Sequence, residues 1–216
     1  MMDHQQTKTS DYLHSLLPEQ VGLLRELEEK ARAEGIPIMD PEGMHTLVTL
    51  LGIHKPSRIL EIGTAIGYSG LRMLSALPDA HLVTIERDAE RAETARAVFE
   101  RSGTEERVTL LEADALEAAP RAAAYAPFDV LFIDAAKGQY EKYFQMYEPL
   151  LQHGGLILSD NVLFKGFVAE EQMPESRRIR SMTKRLQAFN EMMMQDPRFD
   201  STLLPVGDGL MVSRKK

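Results

Sequence analysis

Ile59-Leu60-Glu61-Ile62-Gly63-Thr64-Ala65-Ile66-Gly67-Tyr68-Ser69-Gly70 reads as a short apolar strand, a tight glycine-bearing loop and the opening of a helix. Glycines directly after a strand let the main chain approach a ligand closely, and the helix that follows offers unpaired N–H groups at its start. The stretch is not the dinucleotide fingerprint G-x-G-x-x-G. Counted from Gly63, its second glycine is Ala65 and its third is Tyr68. Glu61, two residues before the loop, repels a pyrophosphate and attracts a cationic ligand.

Outward from this stretch the chain alternates. Strands are expected at Arg58 to Ile62, His81 to Glu86, Val108 to Glu112, Phe128 to Asp134 and Gly155 to Ser159. Helices are expected at Tyr68 to Leu77 and from a cap at Asp88 to about Arg101. Such alternation predicts an α/β fold, a Rossmann-like parallel sheet covered on both faces. The tail differs, because Phe199 to Pro205 and Leu210 to Ser213 flank Val206-Gly207-Asp208-Gly209. Asp-Gly between two apolar runs signals a hairpin, so the sheet should end in an antiparallel pair at one edge. Upstream, Leu23, Leu24 and Leu27 recur at helical spacing before Gly35, and Asp40-Pro41 opens a helix to about Leu51. No repeat or low-complexity linker interrupts the pattern. One domain over 1–216 is therefore expected, with a helical cap at 1–52 on an α/β core at 53–216.

Composition narrows the classes. Hydrophobic residues make up 44% and charged residues 27% of 216, ordinary for a globular protein. The absence of cysteine excludes disulfides, thiolate catalysis and Cys-ligated metal sites, and is compatible with a cytoplasmic location. Met1 to Ser10 is polar and unlike a signal peptide, and no apolar run reaches the ~20 residues of a membrane span. A net charge of −8 argues against broad nucleic-acid binding. Yet Lys165 to Arg185 carries Lys165, Arg177, Arg178, Arg180, Lys184 and Arg185 against Glu170, Glu171 and Glu175, a local balance of +3.

The chemistry collects at strand ends. The second strand closes on Glu86, 23 residues after Gly63, about where an acid takes a ribose diol. The third is followed by Asp114-Ala115, placed to meet an adenine edge. Singly, each reads as a solvated cap; jointly, and with Glu61 behind the loop, they point to S-adenosylmethionine. The fourth runs Phe132-Ile133-Asp134-Ala135-Ala136-Lys137 and the fifth Leu158-Ser159-Asp160-Asn161. In a parallel sheet Asp134, Asp160 and Asn161 share the carboxyl edge, where ligands bind in open α/β sheets. Alone, Asp160-Asn161 is an Asx turn, Asp134 a helix cap and Lys137 a surface lysine. Together they form an oxygen-only site suited to Mg²⁺ with a lysine beside it, the apparatus for deprotonating a hydroxyl.

These residues carry a resemblance. LEIGTAIGYS, the acid at Glu86, the IDAAK and SDN strings and the closing PVGDGL hairpin resemble the cation-dependent, S-adenosylmethionine-dependent O-methyltransferases of the catechol and caffeoyl-CoA type, from about Ile36 to the C-terminus. The resemblance implies Asp134, Asp160 and Asn161 as metal ligands and Lys137 as the base. It implies Met39, Gly63, Ser69, Glu86, Asp114, Ala115 and Asp134 as the cofactor pocket. IPIMDPEGM, IDAAKGQYEKYF and DNVLFKGFVAE are similar to a bacterial subgroup containing the tRNA 5-hydroxyuridine methyltransferase, whose product is 5-methoxyuridine at the wobble position. On that likeness Lys165, Arg177 and Arg178, and also Arg214-Lys215-Lys216, would meet anticodon phosphates. A catechol or phenol is the alternative substrate, and a non-catalytic binding protein the third reading. Relatives of this kind are commonly homodimers, and the N-terminal helices with Met192-Met193-Met194 are the candidate interface.

Overall fold

A computed structural model describes residues 11–170 and 174–216. Helices α1 (Gly22–Glu34) and α2 (Pro41–His54) lead into β1 (Arg58–Ile62), α3 (Tyr68–Ala76), β2 (His81–Glu86), α4 (Ala89–Arg101) and β3 (Val108–Glu112). A short α5 (Ala119–Ala122) precedes β4 (Phe128–Ile133), α6 (Tyr140–Tyr147) and β5 (Leu151–Ser159). The chain closes with α7 (Arg177–Gln195), β6 (Phe199–Leu204) and β7 (Leu210–Lys215). The seven strands lie in the order β3-β2-β1-β4-β5-β7-β6. The first five are parallel, and β7 runs antiparallel to both β5 and β6, as the Asp-Gly turn required.

Period-two alternation builds both faces. Ile59, Leu82, Val130, Phe132 and Leu158 pack with Leu47 and Leu51 of α2 and Met73 of α3. Leu60, Ile62, Leu131, Ile133 and Ile157 pack on the other side with Tyr140 and Phe144 of α6 and Leu186 and Phe189 of α7. Helix starts follow their caps: Asp40 accepts from Glu42 N, and Asp88 accepts from Glu90 N and Arg91 N.

Several boundaries move from expectation. The fourth strand closes at Ile133, so Asp134 already belongs to the loop. The fifth begins at Leu151, because the chain pairs Phe128 with Leu151 before a register shift between Phe128 and Val130. Strand β7 extends to Lys215, held against Phe199 by β6. Registers align the carboxyl ends: Ile62 lies beside Ile85 and Ile133, and Ile133 beside Ser159. Among the described residues no helix is long and apolar enough to cross a membrane.

Candidate active site

At the carboxyl edge, where β1 lies between β2 and β4, a cavity of about 280 Å³ opens. Its wall includes Met39, Gly63, Ser69, Glu86, Asp114, Ala115, Asp134, Lys137 and Asn161. Gly63 is required here: its φ is +103°, and a Cβ would fall 2.0 Å from the carbonyl oxygen of Asp134. The loop beyond it is fixed by Glu86, which accepts from Ala65 N at 2.9 Å and from Arg87 N and Asp88 N at 2.9 Å each. Three N–H donors leave one of roughly four lone-pair sites of this carboxylate for a ligand hydroxyl. Asp114 accepts from Leu116 N at 2.8 Å, an Asx turn that holds Ala115 at the wall, and Tyr147 donates to Ala115 O at 2.6 Å.

Glu61 stands elsewhere than expected. It shares the sheet face of Ile59, is 0% exposed, and does not line the cavity. Its two oxygens accept from Ser69 Oγ at 2.5 Å and Thr84 Oγ1 at 2.6 Å. Burial outweighs these hydrogen bonds and raises its pKa from the ordinary 4.5 to about 7. Glu61 therefore acts behind the wall, holding Ser69 at the start of α3. Strand alternation, which sends every second side chain away from a given face, decides this.

At the other end of the cavity, Asp134 N donates to Ile62 O and Asp160 N to Ile133 O, each at 3.0 Å, so the two acids leave adjacent strands side by side. Lys137 Nζ donates to Asn161 Oδ1, and Asn161 Nδ2 donates to Asp160 Oδ2 at 3.0 Å. Asp160 is only 2% exposed, and its carbonyl accepts from the buried Tyr140 hydroxyl at 2.9 Å. Burial pushes both carboxyl groups above their ordinary range. For Asp160 the negative charge of Asp134 adds to the rise, while Lys137 opposes it for both. Two desolvated acids facing one another form a site that a cation stabilises. The ammonium on Asn161 Oδ1 shows the amide oxygen already turned toward positive charge. Among the described residues no three His, Cys, Asp or Glu side chains gather to hold a metal. The donor set that fits is two carboxylates and an amide oxygen, with positions left for water or substrate, as Mg²⁺ prefers.

The loop after β5 is braced by the hairpin. Asn161, Phe164 and Lys165 all have positive φ, at 57°, 49° and 55°. Val162 N donates to Gly209 O and Leu163 N to Asp208 O, while Lys165 N donates to the Asp208 carboxylate. Gly209 has φ +89°, and a Cβ there would lie 2.4 Å from Leu163 Cγ. The PVGDGL turn, legible in the sequence only as a hairpin, thus also supports the Asn161 loop.

Other predicted residues lie outside the cavity. Lys165 is exposed on that loop, and Arg177 and Arg178 are exposed in the first turn of α7, without a partner among the described residues. Glu171, counted in the basic stretch, lies outside the described residues. Arg214 and Lys215 lie on β7 and Lys216 just after it, each in an ion pair. Antiparallel pairing places Arg214 beside Leu156, three residues before Ser159 at the end of β5. There Arg214 pairs with Asp200 at 2.8 Å, Lys215 with Glu148 at 2.8 Å and Lys216 with Asp200 at 3.3 Å. Met193 is fully buried in the core and Met194 is 51% exposed, so the methionine cluster is split between core and surface. Sequence reasoning missed Arg87, Arg91, Tyr68 and Tyr143, which also line the cavity. Arg87 and Arg91 follow the strand-ending acid, a signal that was available; Tyr143 had none beyond helical spacing.

A sequence profile of the O-methyltransferase family matches residues 8–216. The caffeoyl-CoA O-methyltransferase of Populus kitakamiensis is 30% identical over 91% of this chain and 86% of its own length. The catechol O-methyltransferase of Niastella koreensis is 31% identical over 89% and 87%. The SAH-bound methyltransferase structure from Podospora anserina superposes with a TM-score of 0.85 at 28% identity, covering 100% of this chain and 97% of that one.

Proposed function

The chain belongs to the O-methyltransferase family and is an S-adenosylmethionine-dependent enzyme; from that premise we propose that its acceptor carries two vicinal oxygens, and that this acceptor is 5-hydroxyuridine at the tRNA wobble position. The observation that carries the chemistry is the meeting of Asp134, Asn161 and Lys137 at one end of the cavity, with Asp160 hydrogen-bonded to Asn161 behind them.

In this reading S-adenosylmethionine contributes an electrophilic methyl group. A divalent cation, Mg²⁺ by donor preference, would supply Lewis acidity at this end of the cavity. Asp134, Asp160 and Asn161 would hold that cation. Lys137, an ammonium in its contact with Asn161 Oδ1, would take the acceptor's proton at Nζ after releasing its own to solvent. Glu86 orients the ribose by its diol, Asp114 and Ala115 meet the adenine, and Met39, Gly63 and Ser69 complete the pocket. These residues fix the approach of oxygen to methyl, and such orientation supplies a large share of rate enhancement.

The 5-hydroxyl and 4-carbonyl of 5-hydroxyuridine form a catechol-like oxygen pair. Support for tRNA comes from the exposed Lys165, Arg177 and Arg178 beside an otherwise acidic protein, cations of the kind that meet phosphates. The second reading, a small catechol or phenol, is favoured by the names of the relatives, which act on caffeoyl-CoA and catechol. Nucleoside mass spectrometry of tRNA from a deletion strain separates them. Accumulated 5-hydroxyuridine is the expected result; an unchanged profile, with purified enzyme methylating a catechol, transfers the assignment to the small molecule.

A homodimer is part of the same proposal. Its support is the exposed apolar set Tyr12, Leu13, Leu16, Val21 and Ile53 in the N-terminal helical region. Light scattering at micromolar concentration should return twice the chain mass, and a monomer removes it.

A further inference from the structure

Helix α7 passes both loops that carry the proposed chemistry, and three of its side chains reach their main chains. Arg185 Nη1 donates to Gly138 O at 3.0 Å, Asn190 Nδ2 to Val162 O at 2.9 Å, and Gln187 Nε2 to Val168 O at 2.9 Å. Gly138 directly follows Lys137, and Val162 directly follows Asn161. One helix thus grips each loop at the carbonyl next to its chemical residue. The grip is close, since a Cβ on Gly138 would sit 3.2 Å from Arg185 Nη1.

Stability alone does not account for the amide on α7. Asn190 Oδ1 is buried with no hydrogen-bond partner among the described residues, so the amide is satisfied only through its donation to Val162 O. Asparagine is also a poorer helix former than leucine. What the amide contributes is its hydrogen bond to Val162. Arg185 likewise donates to a loop carbonyl while the side chain lies at the surface.

We propose that Arg185 and Asn190 are positioning residues that hold the Lys137 and Asn161 loops at their working separation. The inference rests on Lys137 being the base. The clamp acts beside two other braces, the Tyr140 hydroxyl on Asp160 O and the hairpin's hold on the Asn161 loop, and it is the one that fixes the carbonyls next to Lys137 and Asn161. A misplacement of about 1 Å at reacting atoms lowers rate on the order of a hundredfold.

The test measures single-turnover methyl transfer from S-adenosylmethionine, with Mg²⁺, to an anticodon stem-loop containing 5-hydroxyuridine and separately to catechol. Arg185→Ala and Asn190→Leu should each slow transfer about tenfold or more, within that positioning range. SAH affinity by calorimetry and melting temperature should stay at parental values, and Arg185→Lys should recover much of the rate. An unchanged rate, or a loss that follows SAH affinity or melting temperature, overturns the clamp. Should Asn190→Leu fail to fold, the exposed Arg185 carries the test. Lys137→Ala is measured alongside. If it is impaired while both clamp variants are not, only the clamp falls; if it transfers at the parental rate, the base assignment falls and the clamp with it.

Discussion

Glu61→Gln tests the buried network behind the cofactor wall. Glu61 is 0% exposed, and its pKa rises from 4.5 to about 7 because burial penalises the charge. Between those values the folded protein binds a proton that the unfolded chain does not. The stability contribution of the protonated group is therefore fully present below pH 4.5 and is lost as pH rises through about 7. Two and a half units correspond to about 3 kcal/mol at 1.36 kcal/mol per unit. Glutamine preserves the shape and carries no charge. Its Oε1 can accept from Ser69, and its Nε2 can donate to Thr84 Oγ1, which lies 2.5 Å from Thr64 Oγ1 and can pass its own proton there. The parent should lose stability relative to the variant by about 3 kcal/mol between pH 4.5 and 8, roughly 6–12 °C in Tm for a chain of this size. The assay is thermal melting of both proteins across that range. Subtracting the curves removes Asp160 and leaves of Asp134 only its charge coupling to Glu61, which raises the same pKa. A difference that stays flat from pH 4.5 to 8 refutes the reasoning. So does a variant that folds normally but loses SAH binding, because Glu61 would then face the ligand.

Gly63→Ala should unfold the site edge, while Gly154→Ala should cost only the about 1–2 kcal/mol of a left-handed residue, since a Cβ at 154 meets nothing within 4 Å. Equal melting temperatures and equal SAH affinities for the two would contradict the close approach to Asp134. Asp160→Ala should abolish Mg²⁺-dependent turnover with SAH binding retained, and chelator should do the same to the parent; full activity in chelator removes the metal from the mechanism. Arg177→Glu with Arg178→Glu should weaken tRNA binding and reduce its salt slope by about 1 per lost phosphate contact, whereas Arg214→Ala should leave both unchanged. Filter binding at several salt concentrations reads this, and a loss confined to Arg214→Ala would move the proposed surface to β7.

Much of the fold was legible because its signals are local. Near-continuous apolar runs at Ile59 to Ile62 and Phe128 to Ile133, caps at Asp40 and Asp88, and the Asp208-Gly209 turn all act within a few residues of themselves. The acids at strand ends followed from the same pattern, since parallel strands must present their carboxyl ends together. The contacts among them depend on the sheet register, which brings Asp134 and Asp160 side by side.

By itself, then, the sequence determined the parallel sheet, its closing hairpin and which residue types gather at its carboxyl edge. Only the tertiary structure decided what each side chain faces. Glu61 turned to Ser69 and Thr84, Arg214 to Asp200, Asp208 to the Lys165 N–H, and Arg185 and Asn190 to carbonyls on two separate loops. Most of these partners are more than ten residues apart in the chain. A hydrogen bond of that kind depends on where two packed elements meet, and local periodicity holds no information about the meeting point.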